Sequence, residues 1–132
     1  MQSKPRIRVL VVDDHRFLRE AIGGIINSEP DMMVIGEAPN GKIAVELYPV
    51  FKPDVTLMDM NMPEMNGVDA ISHICKGNPD ARVIVLSGYD FQEEIRNSFE
   101  AGARAFVLKE DARQKLATVI RAVHQGAFLP YD

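Results

Sequence analysis

With 132 residues, the chain can enclose one hydrophobic core and is too short for two ordinary domains. Hydrophobic residues at 46% and charged residues at 26% are the balance of a folded globular protein, and no apolar run approaches the roughly 20 residues that span a bilayer. Fifteen basic against nineteen acidic residues give a net charge of -4, which argues against a segment that grips DNA phosphates by itself and leaves any nucleic-acid role to another domain.

Residues 1–5 read as an N-terminal extension, 6–126 as the single domain and 127–132 as the start of a linker or tail. The basic stretch from Met1 to Arg8 runs straight into an apolar strand and the acids Asp13 and Asp14. With no small-residue cleavage site there, no secretory leader is expected. Cys75 is the one cysteine, so no internal disulfide can form, and a cytoplasmic location is expected.

Ile7 to Val12 forms the first predicted strand, nearly all apolar. Phe17, Leu18, Ala21, Ile22, Ile25 and Ile26 then make a stripe at helical spacing, and Gly23 and Gly24 inside it leave room for a close neighbour or are simply tolerated on the surface. Met32 to Glu37 is a more polar strand, placed at a sheet edge, and Ile43, Ala44 and Leu47 mark a short second helix. The strand Val55 to Met58 precedes a helix striped by Val68, Ile71, Ile74 and Cys75. Val83 to Leu86 precedes the weakest helix, with Phe91, Ile95 and Phe99, and Ala105 to Leu108 precedes a clear one, with Leu116, Val119, Ile120 and Val123.

Four of the five strands are almost continuously apolar, as parallel strands covered on both faces must be. Five strand and helix units with right-handed crossovers predict an α/β fold, a doubly wound (βα)5 sandwich around a parallel sheet. Ligands of such sheets sit beyond the carboxyl ends of the strands. Asp13 and Asp14 end the first strand, Asp59 the third, Ser87 the fourth and Lys109 the fifth, so every candidate falls on one rim.

Carboxylates crowded together repel by about 4 kcal/mol per pair at a separation of about 4 Å and an effective dielectric of about 20. A hard dication relieves that repulsion, and Mg2+ takes carboxylate and carbonyl oxygens while readily accepting a phosphate oxygen. One carboxylate can then act as nucleophile toward a phosphoryl group, with the Lys109 ammonium and the Ser87 hydroxyl as donors to its oxygens. Plainer roles exist for each group. Asp14 could cap the first helix, Ser87 could serve a turn, and Phe106 could be ordinary core. His15, His73 and His124 lack metal-ligand spacing and read as surface or loop residues, with His15 able to influence Asp14 indirectly. The methionines Met58, Met60, Met62 and Met65 read as packing around Asp59.

The run Val11-Val12-Asp13-Asp14-His15, the run Leu57-Met58-Asp59-Met60-Asn61-Met62-Pro63-Glu64-Met65-Asn66-Gly67, the run Val85-Leu86-Ser87-Gly88 and the run Gly102 to Lys109 together resemble the CheY-like receiver domains of two-component response regulators. The resemblance spans residues 6–126 and implies a flavodoxin-like sheet in the order 2-1-3-4-5. It implies that Asp59 is the phosphoacceptor, in a reaction dependent on Mg2+ or, in its place, Mn2+. Asp14, Asp59 and the backbone carbonyl of Asn61 would bind the metal, and Asp13 would hold one of its waters. Ser87 and Lys109 would contact the phosphoryl group, Phe106 would be the switching aromatic, and Asn61 and Tyr89 would tune dephosphorylation. Such a protein is a signalling switch that catalyses its own phosphorylation and dephosphorylation, and is not otherwise an enzyme.

Many receivers carry proline after the lysine, whereas Glu110 follows here. That residue, the Asp-Asp-His start and the run Gly126-Ala127-Phe128-Leu129-Pro130 resemble the NarL/LuxR-type branch. The branch implies a C-terminal DNA-binding domain, or else the chain is a stand-alone receiver; the family implies a sensor histidine kinase as partner and a homodimer through the first and last helices, and no membrane contact is expected. A haloacid dehalogenase-like phosphatase would want aspartate where His15 stands. A flavin carrier would want a phosphate loop where Asp13 and Asp14 would repel phosphate. A degenerate receiver that only binds proteins would ignore millimolar Mg2+.

Overall fold

The computed structural model describes residues 5–131; of the expected N-terminal extension and tail, residues 1–4 and 132 lie outside the described residues. Five parallel strands, β1 (Ile7–Val12), β2 (Met32–Ala38), β3 (Val55–Asp59), β4 (Val83–Ser87) and β5 (Ala105–Leu108), form one sheet in the order β2-β1-β3-β4-β5. Five helices alternate with them: α1 (Arg16–Asn27), α2 (Gly41–Phe51), α3 (Gly67–Gly77), α4 (Gln92–Ala101) and α5 (Ala112–His124). This is the CheY-like, doubly wound sandwich expected from the sequence, with β2 at an edge as its polarity suggested.

Two cores lie on opposite faces of the sheet. Ile22 and Ile26 of α1 and Leu116, Ile120 and Val123 of α5 meet Val9, Val11, Leu57, Ile84 and Leu86. On the other face Ala44 of α2, Ile71 and Ile74 of α3 and Ile95 of α4 meet Leu10, Val12, Met58, Val83, Val85 and Phe106. Alternate strand residues thus serve both layers, which is why the central strands carry almost no polar side chains.

The α1 stripe is narrower than its spacing suggested. Ile22 and Ile26 are buried, but Phe17 is 88% exposed and Ala21 is also exposed. Helix α1 presents only part of its apolar arc to the sheet, and Phe17, in its first turn, is left in solvent. A Cβ on Gly23 would touch only Val34, at 3.9 Å, and one on Gly24 would meet nothing within 4 Å. Those glycines accommodate no tightly packed neighbour in this chain.

Local capping fixes the loops that shape the rim. Asn40 accepts a hydrogen bond from Ile43 N (2.8 Å) and Asn66 one from Asp69 N (2.9 Å), starting α2 and α3. After α5 the chain folds back: Leu129 N donates to the Arg104 carbonyl at 2.8 Å, and Leu129 bridges Ala105 in parallel. The Phe128 ring meets Phe99 edge-on, while Tyr131 lies against Phe106 with ring centroids 5.0 Å apart.

Candidate functional site

The carboxyl ends of β1 and β3 deliver three carboxylates to one pocket. Asp13 follows β1 and is 1% exposed, Asp59 ends β3 and is 5% exposed, and Asp14 stands beside them, half-buried. Ligand atoms of Asp13, Asp14, Asp59 and also His15 all lie within 4.8 Å of one another. Lys109, one residue past β5, reaches across β4. Its Nζ stands 3.1 Å from Asp13 Oδ2 and 3.1 Å from Asp59 Oδ1.

Backbone geometry sets these side chains. Asp13 N donates to the Ala38 carbonyl (3.1 Å), tying the end of β1 to β2, and Asp13 Oδ1 accepts from His15 N at 2.8 Å. The N-cap of α1 is therefore His15, without a side-chain cap, and Asp14 does not cap the helix. Asp59 Oδ1 accepts from Met60 N at 2.9 Å, leaving Oδ2 without a hydrogen bond among the described residues. The loop after Asp59 is closed by Gly67, whose N–H donates to the Met60 carbonyl at 2.9 Å. A Cβ at Gly67 would sit 2.2 Å from the Asp59 carbonyl oxygen, so only glycine allows this approach.

Burial, reinforced by the charge of Asp13, pushes the Asp59 carboxyl up to about 6 against the opposing pull of Lys109 and the Met60 N–H. For Lys109 burial opposes the charge, but Asp59 and Asp13 outweigh it and its pKa is raised. One lysine cannot balance three carboxylates. Among the described residues, Asp13 Oδ2 and Asp14 Oδ1 are moreover buried without a hydrogen bond, with Lys109 Nζ and His15 Nδ1, respectively, at 3.1 Å. Such an all-oxygen set, anionic and short of donors, fits a hard divalent cation.

The remaining expected residues are placed around this cluster to different degrees. Ser87 ends β4 next to β3 and is 1% exposed; its Oγ accepts from Tyr89 N at 3.2 Å. Phe106 lies in β5, paired with Val85 and buried beneath Tyr131. Asn61 is exposed in the loop just after Met60. Tyr89 points outward, 60% exposed, and stacks on Phe91 at 5.4 Å, so its ring is not drawn into the acid cluster. His15 belongs nearer the site than its lack of ligand spacing suggested, because the turn after β1 folds its ring over both acids. Its place directly after the Asp-Asp pair was the available signal.

A doubly wound sheet with three acids and a lysine at its switch edge defines a class, the two-component signalling module. The model of the response regulator receiver domain matches residues 9–121. The chain belongs to the response regulator receiver family. It is 36% identical over 124 residues to the transcriptional regulatory protein DegU of Brevibacillus brevis, covering 94% of this chain and 52% of that protein. It is 46% identical over 102 residues to the chemotaxis protein CheY of Thermotoga maritima, covering 77% of this chain and 84% of that protein. The signal receiver domain of NarL from Mycobacterium tuberculosis superposes with a TM-score of 0.89 at 29% identity, covering 93% of this chain and 99% of that one. The chain is thus a receiver of the NarL/LuxR type, and it spans about half the length of curated relatives such as DegU. Among the described residues, no helix is long and apolar enough to cross a membrane.

Proposed function

We propose that Asp59 accepts a phosphoryl group from the phosphohistidine of a cognate sensor kinase. The observation that carries this reading is Lys109 Nζ, placed 3.1 Å from both Asp59 Oδ1 and Asp13 Oδ2 over a carboxylate that is 5% exposed. Asp59 Oδ1 is occupied by Met60 N–H and Lys109, so Oδ2 is the oxygen free to attack phosphorus. A bond forms from Oδ2 to phosphorus as the bond from phosphorus to the imidazole nitrogen breaks, and the imidazole leaves with that electron pair, neutral because its other ring nitrogen carries a proton. Lys109 and Ser87 donate to the phosphoryl oxygens as charge gathers on them.

Asp14, Asp59 and the Asn61 carbonyl would hold Mg2+, or Mn2+ in its place, with Asp13 acting through water. The cation, when bound, neutralises charge on the acids and on the incoming phosphate. The same residues return Asp59 to its free state by admitting water, at a rate tuned from Asn61 and Tyr89. The chain therefore promotes its own phosphorylation and dephosphorylation as a switch. Ser87, drawn toward the phosphate, leaves space for Phe106, which repacks α4 and β5 and alters a protein interface.

In this reading residues 6–126 are the receiver and 127–132 begin a linker to a DNA-binding output domain. The partners are the cognate kinase and a second copy docked through α1 and α5, in the cytoplasm. Incubation with acetyl phosphate in the presence of Mg2+ should add one phosphoryl mass, lost on hydroxylamine treatment and absent in EDTA. Asp59→Asn should take up none. Undiminished aspartyl phosphate in that variant would reject the assignment. Lys109→Ala should retain Mg2+ binding but fail to pass the signal, read as loss of the phosphorylation-dependent change in the α4 and β5 spectrum.

A further inference from the structure

We infer that Arg19 is a positioning residue for the acid pair: it fixes the Asp13–Asp14 peptide so that both carboxylates face the cation site. This rests on the metal reading above and adds a residue to it. Arg19 lies in the first turns of α1, its own N–H donating to the His15 carbonyl, with its side chain only 17% exposed. One guanidinium nitrogen donates to the Asp13 carbonyl oxygen at 2.7 Å, and Nε donates to Glu37 Oε1 at 3.2 Å.

The Asp13 carbonyl belongs to the peptide that joins the two acids, so its direction sets where the Asp14 side chain leaves the backbone. The other side of Asp13 is tied to the end of β2 through its N–H and the Ala38 carbonyl. Arg19, anchored by Glu37 one residue before Ala38, ties the carbonyl side to that same strand end. The turn is thereby clamped on both sides against the mutual repulsion of its carboxylates. A small cation with near-ideal octahedral demands tolerates little drift of its ligands, and partners that orient metal ligands commonly change affinity by roughly 10-fold or more.

Charge and positioning make opposite forecasts, which is what makes the inference testable. As a cation near the site, Arg19 repels a dication, so its removal by charge alone would tighten binding. As a clamp, its removal loosens the acid pair and weakens binding.

Free Mn2+ in titrations of the protein, followed by electron paramagnetic resonance, gives the dissociation constant, and melting in EDTA reports the fold. Arg19→Gln is expected to weaken Mn2+ binding by about tenfold while melting in EDTA within a few degrees of wild type. Arg19→Lys keeps the charge and one donor, and is expected to show a smaller loss. Binding of Arg19→Gln as tight as wild type, or tighter, overturns the inference. If that variant does not fold, unchanged affinity in Arg19→Lys overturns it and weakened affinity supports it. Absence of Mn2+ binding by the wild-type chain would instead remove the metal reading itself, and this inference with it.

Discussion

At the scale of single residues, Asp59 is burdened by its own site. Its carboxyl is pushed from 3.8 to about 6 by burial and then by Asp13, so the folded chain holds this proton more tightly than the unfolded chain does. That preference stabilises the fold fully below about pH 3.8 and is lost as pH climbs through about 6, a change on the order of 3 kcal/mol. Asp59→Asn, neutral at every pH, is expected to raise stability in EDTA at pH 7.5 by about 2–3 kcal/mol, the gain vanishing near pH 4. Urea melts of both chains across that range check the sign; a loss of stability at pH 7.5 would mean that the pairing with Lys109 outweighs burial. Gly67 gives the opposite case, a residue with no side chain that shapes the site. Gly67→Ala forces a methyl against the Asp59 carbonyl oxygen and is expected to cost about 1–3 kcal/mol, measurable in the same melts.

At the scale of elements, α1 and α5 divide one apolar layer unequally. Leu116 of α5 is fully buried, so Leu116→Ala should cost about 2–5 kcal/mol, whereas Phe17→Ser on exposed α1 should change stability by no more than about 0.5 kcal/mol. Thermal melts that ranked the two equally would contradict the packing described. The strands were legible because a parallel strand covered on both faces must be apolar along its whole length, and Val55 to Met58 or Val83 to Leu86 can hardly be read otherwise. Their carboxyl ends then located Asp13, Asp14, Asp59 and Lys109 on one rim. Phe17 misled because spacing records which residues share an arc, not which of them a neighbouring element covers. Arg19 and the return of Leu129 to Arg104 were illegible because each is a hydrogen bond to a backbone carbonyl, which leaves no mark in residue pattern. Ser87 was legible as a hydroxyl at the carboxyl end of the strand beside Asp59, whereas the switching role of Phe106 came from family resemblance, since a phenylalanine in a buried strand looks like any other core residue.

At the scale of the whole molecule, the proposed cation site would link ligand binding to stability. A cation that binds only the folded chain should raise its melting temperature, by an amount equivalent to about 2.7 kcal/mol at 100 times its dissociation constant. If Asp59 is among the cation's ligands, as proposed, cation and proton compete there, and the increment from 10 mM Mg2+, compared with EDTA, should shrink as pH falls from 7.5 to 5. Calorimetry at the two pH values checks this, and equal increments would place the cation elsewhere.

The described residues after α5 add a geometric consequence. Leu129 is stitched to the outer edge of β5 and Tyr131 is laid over Phe106, so these residues contribute no slack. A domain attached downstream would be leashed from the sheet margin rather than from the end of α5, confined to a smaller search volume and therefore at a higher local concentration beside that margin.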